Sequence, residues 1–183
     1  DEEQCRQLIS ELSQIPSKVQ KCVDDQTQYQ KVASKLISAD SLLYIGRGLD
    51  YALSMEGSLK LKEISYIHSE SYAAGELKHG TISLIEDGMP VIAVATQHDL
   101  YEKTMSNIKE VKTRGATVVM VCGEDMKFDG NDVDYPVMLP LARDLLMPLV
   151  AVVPLQLIAY YTAALKNFDV DHPRNLAKSV TVE

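Results

Sequence analysis

Three charged residues about a third of the way along the chain stand at helical spacing and offer acid-base chemistry. Glu56, Lys60 and Glu63 are separated by four and then three positions, so they share one side of an α-helix. Apolar residues flank them on both shoulders, so we expect this side to face the core and Glu63 to line a partly dry cleft. A carboxylate held there beside an ammonium group is suited to moving a proton on and off carbon. The same spacing is also typical of solvated helix pairs, and periodicity leaves both interpretations open.

His79 is a second candidate for acid-base chemistry. It lies between a lysine and a glycine, in a segment bounded by Gly75 and Gly80. Glycine-bounded loops often present reactive side chains, and histidine exchanges protons near neutral pH. A single histidine is more often structural than catalytic, so this assignment also stays open.

The last fifteen residues, 169–183, hold a candidate amine. They have no clean period and contain a proline near their start, which is typical of a frayed chain end. Leu176, Val180 and Val182 would nevertheless let this tail dock, and docking would carry Lys178 onto the domain. Lysine is the side chain that forms an imine with a sugar carbonyl.

The remaining chain alternates short apolar runs with helical patterns. Buried strands are predicted at 41–45, 89–95 and 117–122, and a shorter edge strand at 133–139. The first strand ends at a Gly-Arg-Gly turn followed by a helix, and a further helix is predicted from about 99 to 114. This order predicts an α/β fold with a doubly wound, mostly parallel five-stranded sheet flanked by helices, and with the first strand central.

Two amphipathic helical patterns precede the sheet, one ending at Pro16 and one running from Val19 to Ile37. We therefore interpret residues 1–38 as a helical lead-in packed on the domain. Residues 39–168 form the α/β domain in this interpretation, and residues 169–183 an irregular C-terminal tail.

The segment 145–165 contains no charged residue and meets the length criterion for a membrane span. Pro148, Pro154 and Gln156, together with the α/β pattern before them, favour a helix buried in the protein or in a subunit interface. We therefore expect no membrane partner, and we expect a homo-oligomer such as a dimer.

Composition limits the remaining function classes. A chain of 183 residues with 46% hydrophobic and 24% charged residues is about one globular domain. Its net charge of -8 and the lack of a basic run argue against nucleic acid. Cys5, Cys22 and Cys122 show neither zinc-site nor disulfide spacing, so we expect no metal and a cytoplasmic setting. The first residues show no signal-peptide pattern, and we expect the chain to be a fragment of a longer polypeptide.

Two long motifs carry a family resemblance. The run LKLKEISYIHSESYAAGELKHG (59–80) and the ending DVDHPRNLAKSVTVE (169–183) resemble the C-terminal end of the glucosamine-6-phosphate synthase family, the isomerising glutamine:fructose-6-phosphate amidotransferases. The resemblance covers essentially the whole chain. It implies the second of two sugar-isomerase (SIS) folds plus the active-site tail, without the glutaminase domain and the first SIS fold.

The resemblance also implies roles for five residues. Glu63 matches the base that moves a proton between C1 and C2 of an imine intermediate, and Lys60 matches the lysine beside it. His79 matches the histidine that helps to open the sugar ring, reaching into the neighbouring subunit's site. Lys178 matches the tail lysine that engages the open-chain ketose, and the backbone of Ala177 would lie beside the sugar. The implied reaction converts fructose 6-phosphate and glutamine-derived ammonia to glucosamine 6-phosphate, with no cofactor.

Two other functions share this fold. A phosphosugar-binding SIS regulatory module needs no tail lysine and normally accompanies a basic helix-turn-helix, and neither expectation fits the sequence. A deglycase acting on fructosamine phosphates shares the fold and the base, but the PRNLAKSVTVE ending favours the synthase. Because the resemblance places the ammonia source and the phosphate-binding loop in the missing domains, we expect negligible synthase activity from the isolated chain.

Overall fold

The computed structural model describes residues 2–175 and places five strands in one sheet. The strands are β1 (Ser41–Gly46), β2 (His68–Ala73), β3 (Pro90–Ala95), β4 (Thr117–Gly123) and β5 (Tyr135–Leu139). Their spatial order is β2-β1-β3-β4-β5, and every neighbouring pair is parallel. The predicted five-stranded parallel sheet is therefore confirmed. The middle strand is β3, however, because β1 has only β2 beyond it.

Five α-helices cover the two faces of the sheet unequally. They are α1 (Glu2–Asp24), α2 (Gln26–Leu36), α3 (Leu49–Ser65), α4 (Tyr101–Lys112) and α5 (Met147–Leu165). Successive strand residues point to opposite faces, so Leu42 and Tyr44 of β1 pack with α1, α2, α3 and α5, whereas Leu43 and Ile45 pack with α4. Both faces are apolar, which is why these strands are continuous hydrophobic runs in the sequence.

The predicted helix boundary at Pro16 is wrong. Helix α1 continues through this proline to Asp24, and the break between α1 and α2 falls at Asp25. Pro16 lies on the exposed side of α1, next to the buried Ile15. A proline on the solvent side of a helix loses one backbone hydrogen bond without disturbing the packed side, so the helix persists.

Strand β2 was not among the predicted strands. Helix α3 ends at Ser65, Tyr66 takes a left-handed conformation with φ 59°, and β2 begins at His68. As an edge strand, β2 buries only Ser69 fully, and its remaining side chains are polar or half-buried. It therefore lacks the apolar run that marks the other strands.

Helix α5 packs against α1, α2, α3 and β5. Pro148 lies in its first turn, as predicted, and Pro154 lies inside the helix. By length and composition α5 would also qualify as a membrane span, but neighbouring elements bury nine of its residues, among them Val150, Leu155 and Ile158. It is thus the central helix of this face of the domain.

Candidate active site

Glycines shape the turn that directs α3 across the sheet. A Cβ on Gly46 would overlap the backbone carbonyl of Asp50, and Gly48 has φ 56°, a value that favours glycine. Because both positions lack a side chain, the chain turns sharply from β1 into α3. Helix α3 carries the candidate residues Lys60 and Glu63.

The inner face of α3 carries small polar residues, so the predicted inner position of the charged trio is wrong. Ser54, Ser58 and Ser65 are buried. Ser54 Oγ donates to the Asp50 carbonyl at 2.8 Å, and Ser65 Oγ donates to the Leu61 carbonyl at 2.7 Å. Hydroxyls satisfied within their own helix can enter the core at little cost. Small side chains also let α3 lie close to its neighbours, which an apolarity pattern does not detect.

Lys60 and Glu63 form a close pair on the outer shoulder of α3. Lys60 Nζ donates to Glu63 Oε2 at 2.6 Å, and their side chains are 34% and 26% exposed. Glu56 Oε1 lies farther from the same ammonium, at 4.0 Å. The hydrogen bond to Glu63 raises the pKa of Lys60, which keeps the ammonium charged. The pair therefore presents a half-buried carboxylate that can accept a proton.

His79 ends a short 3₁₀ helix, Ala74–His79. Its side chain is 65% exposed, and its Nε2 atom lies 3.9 Å from Glu76 Oε2. Among residues 2–175, no hydrogen bond or ion pair joins His79 to Lys60 or Glu63. The structure thus brings Lys60 and Glu63 together but not His79 with them. Lys178 and Ala177 lie outside the described residues.

The carboxyl edge of the sheet holds a charged cluster that sequence reasoning missed. His98 Nδ1 lies 2.6 Å from Asp144 Oδ1, and His98 Nε2 lies 2.9 Å from Asp125 Oδ2. Hydrogen bonding to Asp125 and then Asp144 raises the pKa of His98. These residues follow β3, β4 and β5, and are 27 and 46 positions apart, so no local motif joins them. Their shared position after strand ends was the only available signal.

A buried carboxylate closes the sheet edge between β1 and β3. Asp50 is 1% exposed and accepts hydrogen bonds from Thr96 N at 2.8 Å, Thr96 Oγ1 at 2.6 Å and Gln97 N at 3.2 Å. Burial raises the pKa of Asp50. The strand order changes direction between β1 and β3, and ligands of such sheets usually bind at this point. Here the donors at this position, on Thr96 and Gln97, are already hydrogen-bonded to Asp50. This favours the outer shoulder of α3 as the candidate site.

Strand β2 contributes a further polar group. His68, Glu70 and Tyr72 alternate along the strand, and Tyr72 Oη donates to Glu70 Oε2. That hydrogen bond raises the pKa of Tyr72. A cavity of about 460 Å³ at the amino ends of β1, β2 and β3 includes His68 and Glu70, but not Lys60 or Glu63. Within the described part of the chain, no group of three or more histidine, cysteine, aspartate or glutamate side chains is arranged to hold a metal ion.

Comparison with known proteins supplies the family. The SIS domain profile matches residues 35–166. An isomerizing glutamine-fructose-6-phosphate aminotransferase of Caldanaerobacter subterraneus subsp. tengcongensis is 57% identical over 97% of this chain, and one of Clostridium tetani is 51% identical over the whole chain. The chain spans 29% and 30% of the lengths of these relatives.

A solved structure agrees with the sequence relatives. The C-terminal domain of a glucosamine-fructose-6-phosphate aminotransferase from Francisella tularensis superposes with a TM-score of 0.87 and is 36% identical. The match covers 94% of this chain and 49% of that domain. The five-stranded sheet with flanking helices is thus the fold of about half of that domain.

Proposed function

The chain belongs to the SIS domain family, and from that premise we propose that it is the C-terminal portion of an isomerizing glutamine-fructose-6-phosphate aminotransferase. The proposed reaction joins fructose 6-phosphate and ammonia to give glucosamine 6-phosphate and water. This chain supplies the isomerising residues. The glutaminase domain and the first SIS fold of the same enzyme supply the ammonia and bind the phosphate.

Glu63 is the proposed base of the proton shift. Ammonia adds to C2 of the open-chain ketose, water leaves, and the product is an imine. Glu63 then removes a proton from C1 and returns it to C2, while the proton of the C1 hydroxyl passes to the imine nitrogen, which leaves an aldehyde at C1 and an amine at C2. Lys60 fixes the position of the Glu63 carboxylate through their 2.6 Å contact. His79 assists ring opening, and Lys178 engages the ketose carbonyl beside the backbone of Ala177.

The observation that carries this proposal is the half-buried Lys60–Glu63 pair on α3. It occurs in a chain that matches the isomerizing aminotransferases over nearly its whole length. A carboxylate that is partly shielded from water and held in place by a hydrogen bond from a cation is positioned to exchange a proton with a bound substrate. The exposed position of His79 supports its proposed use by a neighbouring subunit.

The test is the rate of isomerisation of fructose 6-phosphate to glucose 6-phosphate in the intact enzyme. We expect Glu63→Gln to reduce kcat by about 100-fold or more, since general-base catalysis contributes about 10²–10⁴-fold. Glu102→Gln is the matched control, because Glu102 is an exposed residue of α4 on the other face of the sheet. A Glu63→Gln enzyme that retains the control's rate would eliminate Glu63 as the base.

The setting and assembly belong to the same proposal. We propose a cytoplasmic homodimer. The free thiols of Cys5, Cys22 and Cys122 support a reducing compartment, and the exposed side chains of Ile9 and Leu145 support an apolar interface. The isolated chain is expected to fold without synthase activity. Tight phosphosugar binding by the isolated chain in calorimetry would instead favour a regulatory module.

A further inference from the structure

The end of the described chain is fastened to the end of α3 through one side chain, Tyr66. The ring of Tyr66 packs against Phe168, with centroids 4.9 Å apart and planes inclined by 54°. The guanidinium carbon of Arg174 lies 4.0 Å from the centre of the Tyr66 ring. The backbone N–H of Arg174 also donates to Tyr66 Oη at 2.9 Å. Tyr66 therefore contacts the chain at two points, six residues apart, and we call these contacts the Tyr66 clasp.

The backbone between helix α5 and Arg174 is shaped for the Tyr66 clasp. Asn167 is left-handed with φ 58°, and the N–H groups of Asn167 and Phe168 donate to the carbonyls of Ala164 and Ala163, both at 3.0 Å. This pattern is a Schellman ending, which reverses the chain after a helix. It places Phe168 back toward α3, where it meets Tyr66.

A second turn returns the chain to the same tyrosine. The Asp169 carboxylate accepts hydrogen bonds from Asp171 N at 3.0 Å and from His172 N at 3.2 Å. The His172 ring approaches the other carboxylate oxygen at 3.1 Å, and this interaction lowers the pKa of Asp169. Asp169 thereby organises the turn between Phe168 and Arg174, the two residues that Tyr66 contacts.

Chain length connects the Tyr66 clasp to the candidate base. Glu63 precedes Tyr66 by three residues, which is about 4.5 Å along a helix axis. Lys178 follows Arg174 by four residues, which span at most about 14 Å of extended backbone. Fastening Arg174 at the end of α3 thus keeps the start of the tail within reach of the Lys60–Glu63 pair.

We propose that Tyr66 is a positioning residue that anchors the C-terminal segment on α3, so that the chain after Arg174 delivers Lys178 to Glu63. This inference rests on the proposed function for the role of Lys178, but the anchoring itself does not. The proposed occupant of the surface beside α3 is this chain's own C-terminal tail.

Anchoring is tested on this chain by nuclear magnetic resonance. A nitroxide is attached at Ser179→Cys in a Cys5→Ser background, since Cys22 and Cys122 are buried. We expect the label to broaden the amide signals of residues 60–66. Tyr66→Ala should lower the ratio of docked to free tail about tenfold, because it removes a cation–π contact and a hydrogen bond together. Tyr66→Phe keeps the ring contacts and should retain most of the broadening.

Two further variants complete the experiment. Arg174→Ala removes the cation–π contact without changing α3 but keeps the backbone N–H that donates to Tyr66 Oη, and it should give a smaller, partial loss of broadening even if Tyr66→Ala fails to fold. Tyr160→Ala is the matched control, because it removes an exposed tyrosine of α5 that contacts Tyr161. Equal broadening in the unsubstituted chain and in Arg174→Ala would overturn the proposal, as would an unsubstituted chain without broadening.

The link to the reaction is tested separately in the intact enzyme. Tyr66→Ala should lower kcat for isomerisation about tenfold with little change in the KM for fructose 6-phosphate, and Tyr66→Phe should restore most of the rate. A released tail with an unchanged kcat would overturn the delivery of Lys178. An unsubstituted enzyme without isomerase activity would refute the proposed function, whereas the resonance result would still decide whether Tyr66 anchors the tail.

Discussion

Removing the buried carboxylate of Asp50 should destabilise the domain substantially. Asp50 is 1% exposed and accepts hydrogen bonds from the backbone N–H groups of Thr96 and Gln97 and from the Thr96 hydroxyl. In Asp50→Ala these donors remain buried without this acceptor. Each unsatisfied buried donor costs about 1–3 kcal/mol.

The net change follows from two opposing terms. Loss of the Asp50 acceptor lowers the free energy of unfolding by several kcal/mol. Removal of a carboxylate from a buried position, where its charge is unfavourable, offsets part of this loss. We expect the free energy of unfolding of Asp50→Ala to fall by about 3 kcal/mol. For a chain of this size that change corresponds to a Tm lower by about 6–12 °C. Asp50→Asn keeps one carbonyl acceptor and nearly the same volume, so about half of the loss is expected.

The assay is urea unfolding followed by circular dichroism and by tyrosine fluorescence, whose transitions should coincide. Asp99→Ala is the matched control, because Asp99 is an exposed aspartate just after β3, the strand that Thr96 and Gln97 also follow. The slope with urea should stay unchanged in all variants, since the surface exposed on unfolding is the same. If the free energy of unfolding of Asp50→Ala lies within about 1 kcal/mol of that of the control, the hydrogen bonds to Asp50 do not stabilise the domain as proposed.

Two further predictions concern titratable side chains. The carboxylate partners of His98 raise its pKa, so the folded state binds the imidazole proton more tightly than the unfolded state does. The stability gained in this way is fully present below about pH 6.5, and it is lost as the pH rises through the raised pKa of His98. His98→Ala should abolish that part of the pH dependence of urea unfolding, and an equal difference from the unsubstituted chain at low and high pH would contradict it. Burial raises the pKa of the Cys122 thiol to about 12 and also raises that of Cys22, so a thiol reagent at mild alkaline pH should label only the exposed Cys5 until the chain unfolds. Rapid labelling of a second thiol in the folded chain would show that burial does not protect it.

The buried strands were predictable because they are covered on both faces. Strands β1, β3 and β4 are continuous apolar runs, and turns or helices follow each of them at the positions that the sequence patterns indicate. Strand β2 was missed because it lies at the edge of the sheet, where polar side chains are tolerated. Its assignment depends on pairing with β1, which is a long-range interaction.

The orientation of α3 could not be predicted from its apolarity pattern. Apolarity patterns place leucines and isoleucines inward, but on α3 serines and a glycine face the core beside Leu53 and Leu61, because small residues allow close packing. A Cβ on Gly57 would lie 2.8 Å from the Tyr44 ring and 3.2 Å from Leu155. The charged pair consequently lies on the outer shoulder. Lys60 and Glu63 contact each other, as their spacing indicates, but the surroundings of the pair differ from the prediction.

Residue spacing by itself determined the order of the buried strands and helices, the parallel sheet and the contact between Lys60 and Glu63, because each depends on neighbours only a few positions apart or on the period of an apolar pattern. Tertiary structure decided that Asp50 closes the sheet edge, that His98 joins two aspartates, and that Tyr66 holds the C-terminal segment. These contacts join residues 46, 46 and 108 positions apart. They exist only because the packed sheet and helices bring those positions together, and no local pattern in the chain encodes such proximity.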